Sequence, residues 1–140
     1  MTGSFEGASL VSWTAFSQAR SELGASFVRI LGYFREDGVK SVSAIEAAMR
    51  ANNAAALVIP AHTLKGEARQ FGADPLGDCA EAIELIARDC VENRDEPSDA
   101  LEHVVGLRPL FEATLALLER EANPLVERRP TTFGRRPAVG

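Results

Sequence analysis

Residues 54–72 read AAALVIPAHTLKGEARQFG. Leu57, Ala61, Leu64, Ala68 and Phe71 recur in it at steps of four, three, four and three. This is the period of a helix with one buried stripe, not the alternation of a half-buried strand. Asn52-Asn53 ahead of the stretch is a turn and cap signal, and Gly72 closes it.

The same period extends both ways along the chain, and no alternating β-branched run interrupts it. Upstream, a short helix from about Ser12 to Glu22 presents Trp13, Phe16 and Leu23 and is expected to lie across the rest as a lid. A long stretch from about Ala25 to Ala51 follows, with Phe27, Ile30, Phe34, Val42, Ile45 and Met49 on one stripe. Gly38 falls on that stripe, where a glycine either lets a neighbouring helix approach closely or breaks the segment in two; one long helix is the favoured reading. Downstream, Asp74 is expected to cap a helix that has Pro75 at its first position and Leu76, Cys79, Ile83, Ile86 and Cys90 inward, running to about Asn93. Glu96-Pro97-Ser98 is a turn. The last helix turns Leu101, Val104, Leu107, Phe111, Leu115 and Leu118 inward, with Pro109 as an expected kink. The fold expected is all-α, an antiparallel four-helix bundle with an extra short N-terminal helix. Its limits are residues 12–122, with flexible segments at 1–11 and 123–140.

The chain has 140 residues and a net charge of −5, the length of one domain. The segment 123–140 holds four Arg against one Glu, so residues 1–122 carry −8. An acidic body argues against nucleic acid as a partner. No apolar run reaches the roughly 18 residues of a bilayer span, so no membrane association is expected. The first residues have neither a basic region nor an apolar stretch, which makes a cytoplasmic location the expectation. Cys79 and Cys90 sit about 16 Å apart along one helix, too far to bridge. They are read as small buried groups, and with two unclustered histidines they offer no zinc site. Arg128-Arg129-Pro130 and Arg135-Arg136-Pro137 form a small repeat in the tail, read as solvated. His103 has no cation three or four residues on and is read as structural.

The candidate chemistry lies on the outer face of the third helix. With about 100° per residue and the stripe centred at 0°, Lys65, Val58, Arg69, His62 and Gly66 fall between about 80° and 180°. A histidine there reaches solvent and can act as a nucleophile. Lys65 on the adjacent turn can set an ammonium beside a phosphoryl oxygen, and Arg69 repeats the sign one turn along. An exposed helical glycine costs about 1 kcal/mol relative to alanine, so Gly66 needs a reason, and clearance for a second protein supplies one. Val58 and Ile59 point off the seam as an apolar docking patch. Arg20 and Arg35 are further candidate rim cations.

His62-Thr63-Leu64-Lys65-Gly66, with Gly72 ten residues after the histidine, resembles the signature of histidine phosphotransfer (HPt) domains of bacterial phosphorelays. The resemblance covers about residues 12 to 121. It implies a bundle in which His62 carries a phosphoryl group on Nε2, Lys65 stabilises that group and Gly66 leaves room for a partner. Glu84 would approach the other ring nitrogen and orient the imidazole. The partners implied are response-regulator receiver domains, with a hybrid histidine kinase as a further source of phosphate. No cofactor is expected on this chain, because the Mg²⁺ belongs to the receiver. No kinase motif or receiver-type acidic cluster is present, so a monomeric phosphocarrier without kinase or phosphatase activity of its own is expected. Two features depart from the family pattern: Glu67 stands where a small residue is usual, and Pro60 lies two residues before the histidine. The rival reading is a bundle that binds a receiver or kinase without taking phosphate. A third is a dimerisation bundle related to histidine kinases.

Overall fold

The structure, a computed structural model, describes residues 10–122. Five α-helices occupy them: α1 Trp13–Leu23, α2 Phe27–Arg50, α3 Ala54–Gln70, α4 Asp74–Asn93 and α5 Leu101–Ala122. Single 3₁₀ turns at Gly24–Ser26 and Ser98–Ala100 lead into α2 and α5. No strand occurs among the described residues.

Local chemistry sets most of the boundaries. Ser12 caps α1, its Oγ accepting from the Ala15 N–H at 3.3 Å, and Asn53 caps α3, its Oδ1 accepting from the Ala56 N–H at 3.1 Å. The cap expected at Asp74 falls one residue earlier, on Ala73, which gives no side-chain hydrogen bond. Asp74 is instead the first helical residue, where a carboxylate faces the positive end of the helix dipole. Arg94, left-handed at φ 58°, ends α4.

The two internal prolines leave their helices uninterrupted, so the kink expected at Pro109 does not break α5. In both cases the carbonyl four residues back, at Ala56 and Val105, belongs to an exposed residue. Water can satisfy it, which removes much of the cost of the missing N–H.

Helices α2 to α5 form the bundle, and α2 and α5 run antiparallel: Arg35 pairs with Glu119 at 2.7 Å and Arg108 with Glu46 at 2.8 Å. The inward face of α2 is Phe27, Leu31, Phe34, Gly38, Val42, Ile45 and Ala48. Ile30 and Met49, expected on the stripe, flank it half-buried. A Cβ on Gly38 would lie 2.4 Å from Phe111 Cε1, so this glycine admits the Phe111 ring while α2 stays continuous.

Aromatic contacts run from Trp13 through Phe16, Phe27, Phe71 and Phe34 to Phe111, with centroids 5.1–5.8 Å apart; all are edge-on except the tilted Phe71–Phe34 pair. They tie α1 to the core at the end where α2 begins and α5 finishes. Gly72, at φ 78°, ends α3 there, and its carbonyl accepts from the Ser12 N–H at 2.8 Å. Packing starts before residue 12, because Leu10 and Val11 are buried. Residues 1–9 and 123–140, expected to be flexible, lie outside the described residues.

Candidate functional site

α3 turns Ala54, Leu57, Ala61, Leu64 and Ala68 into the bundle, as the periodicity requires. One residue past Ala61 the chain has rotated about 100°, and the His62 side chain is 58 % exposed. α4 runs antiparallel alongside, so His62 meets Glu84 while Arg69, seven residues on, meets Asp78. Glu84 adjoins the buried Ile83 at the edge of the α4 seam, and its side chain is only 4 % exposed.

Glu84 is the hub of the site. Its Oε2 lies 3.0 Å from His62 Nδ1 and 2.9 Å from Arg88 Nε and Nη2. Its Oε1 faces Lys65 Nζ at 2.9 Å, an ion pair whose angles fall outside hydrogen-bond geometry. Burial alone would push this carboxyl up, but the Lys65 ammonium and the hydrogen bonds from Arg88 and His62 outweigh it and hold the carboxyl down at about 2. An ionised carboxylate can only accept. The Nδ1 of His62 is therefore the protonated nitrogen of the neutral ring, and Nε2 carries the free lone pair. Nε2 makes no hydrogen bond among the described residues.

The other expected residues divide. Gly66 is exposed, with nothing within 4 Å of a Cβ built on it, a property it shares with Gly32 and Gly106. What sets it apart is its place one turn from His62. Ile59 is 69 % exposed, but Val58 is half-buried against the core, so the apolar patch is narrower than expected. Lys65 is 22 % exposed and turned onto Glu84 rather than held out to solvent.

Arg69 departs further from the expected free rim cation. Its Nη2 donates to Asp78 Oδ1 and Glu81 Oε1, both at 2.7 Å, and its stem lies across Gly77. Two carboxylates neutralise it, which makes it a clamp between α3 and α4. Arg20 donates to the Glu121 carbonyl and Arg35 to Glu119, so both are committed elsewhere.

Two residues that sequence reasoning undervalued stand out. Arg88 went unnoticed although it follows Glu84 by four, the spacing of a helical ion pair. Glu67 sits between α3 and α2 with a buried Oε1 that has no partner. Burial, together with the nearby Asp37 carboxylate, raises its carboxyl to about 7. Cys79 and Cys90 are free thiols, Cys79 half-buried and Cys90 buried. Among the described residues no cluster of three His, Cys, Asp or Glu forms, and no helix is long and apolar enough to cross a membrane.

Comparison with known proteins bears on the family and the fold. A family model described as "Hpt domain" matches residues 29–123. The fold is similar to the crystal structure of histidine-containing phosphotransfer protein B (HptB) from Pseudomonas aeruginosa PAO1. The TM-score is 0.71 at 22 % identity, over 82 % of this chain and 96 % of that one. No curated protein matches the sequence.

Proposed function

The chain belongs to the Hpt domain family, which performs histidine phosphotransfer in phosphorelay signalling, and from that premise we propose that His62 is its phosphoacceptor. The observation that carries this reading is the ring itself, more than half exposed and held at Nδ1 by an ionised, buried Glu84. That hydrogen bond fixes the tautomer whose Nε2 lone pair is available outward.

Hpt domains interact with receiver domains and kinases, and the donor proposed here is the phosphorylated aspartate of a receiver. The Nε2 lone pair attacks phosphorus, and the P–O bond breaks with its electrons returning to the aspartate. The Nδ1 proton stays on the ring, whose new positive charge faces Glu84. Every step reverses, so the same geometry returns the group to a second receiver. Mg²⁺ held by the receiver's carboxylates offsets charge on the phosphoryl oxygens during transfer. Lys65 adds to the positive field while keeping Glu84 charged. Gly66 gives the partner clearance, and Ile59 with the exposed edge of Val58 supplies apolar contact.

The chain works as a monomer in the cytoplasm, a carrier that neither makes nor hydrolyses the phosphoryl group. Its own elution as a monomer of 15.0 kDa by size-exclusion chromatography with light scattering is the check on that state. Incubation with a ³²P-labelled receiver tests the site. Wild type gains acid-labile, base-stable label, and His62→Gln gains none. Equal labelling of the mutant, or no labelling of wild type by any receiver of its cell, would defeat the assignment and leave a binding module without phosphate chemistry.

A further inference from the structure

We infer that Arg88, rather than Lys65, is the cation that moves onto the phosphoryl group of phospho-His62, while Lys65 stays behind as the counter-ion of Glu84. The inference rests on the proposed role of His62 and concerns which side chain serves it.

The two cations hold Glu84 differently. Oε1 is buried, and Lys65 is the cation against it. If Lys65 left, a buried carboxylate oxygen would be stranded, among the more costly changes a folded protein can undergo. Oε2 is held twice: it accepts hydrogen bonds from His62 Nδ1 and Arg88 Nε, with Arg88 Nη2 close by as an ion pair. If Arg88 left, Oε2 would keep its bond from His62.

Exposure points the same way, since the Arg88 side chain is 53 % exposed and that of Lys65 only 22 %. Arg88 already stands close to its target. Its Nε is 2.9 Å from an oxygen that is itself 3.0 Å from His62 Nδ1, so the guanidinium is within about 6 Å of the ring. Its Nη1 makes no hydrogen bond among the described residues, leaving donors free for a second acceptor. A planar fork matches the oxygens of a phosphoryl group in paired fashion, which a point ammonium does not.

Phosphorylation reverses the local charge balance. Before transfer, Glu84 is outnumbered by Lys65 and Arg88. Afterwards, a group carrying nearly two negative charges is bonded to the ring. One cation then suffices for Glu84, aided by the charge that the ring has acquired, and the other is worth more on the phosphoryl oxygens. The site thus holds its phosphoryl ligand in reserve on a carboxylate.

The test needs no receiver, because phosphoramidate can phosphorylate the full chain directly, with its P–N bond breaking and ammonia leaving as the bond to Nε2 forms. Phospho-His62 is followed by ³¹P NMR at a temperature where circular dichroism shows every variant folded. Arg88→Ala is expected to slow phosphorylation roughly tenfold, and Arg88→Lys to recover part of the loss. Lys65→Ala is expected to slow it less than about threefold while lowering Tm by roughly 5 °C. In ¹⁵N-labelled wild type, the Arg88 Nε–H resonance should shift on phosphorylation. A labelled wild type with Arg88→Ala equally fast, or with Lys65→Ala slowed more than Arg88→Ala, would overturn this inference and leave the carrier reading standing. Failure of the wild type to take phosphate on His62 would overturn both.

Discussion

Glu67 and Glu84 are carboxylates of one molecule pushed in opposite directions. Glu84 is buried among cations and stays charged, whereas Glu67 is buried beside Asp37 and rises to about 7. A carboxyl whose value in the folded chain exceeds its unfolded one, 4.5 here, favours folding at low pH. That advantage is complete below the unfolded value and disappears as pH climbs through 7. Thermal melts of wild type are therefore expected to fall between about pH 5 and 8. Glu67→Gln should flatten that slope and gain on the order of 1–3 kcal/mol at the alkaline end. A wild-type Tm independent of pH over that window would refute the account. In the sequence, Glu67 stood out only as a carboxylate where a small residue is usual. The identity of its neighbour was not legible, because Asp37 comes from a helix whose register against α3 depends on packing.

At the scale of the element, two glycines of equal intrinsic cost have opposite reasons to be there. Gly38 lies against a ring, and a methyl group would collide with Phe111. Gly66 faces open space. Gly38→Ala should lose about 1–3 kcal/mol in urea denaturation, overpacking outweighing the gain in helix propensity. Gly66→Ala should gain up to about 1 kcal/mol by the same measurement and yet slow transfer from a receiver. Stabilisation without slowing would remove the clearance argument. The period of the apolar residues made the helices, their order and the outward turn of His62 legible. It placed Arg69 on the correct face but could not show that Asp78 and Glu81 reach across from α4 to take it. The pairing of Glu84 with Arg88 was within reach at four-residue spacing, since both lie on one helix. Only the inter-helix distance makes it part of the His62 site.

The whole molecule divides its labour by position. One end of the bundle is closed by α1, whose Trp13 and Phe16 begin the line of aromatic contacts into the core. The His62 site stands apart from that closure, on the outer surface where α3 and α4 meet. Trp13 is the single tryptophan in the chain, so fluorescence excited beyond the absorption of Tyr33, the single tyrosine, reports the seal at one end of the protein. Circular dichroism averages over every helix. If the emission maximum moves to the red at a lower temperature than the ellipticity is lost, the end cap opens before the body melts, and that order can be read without attaching a dye.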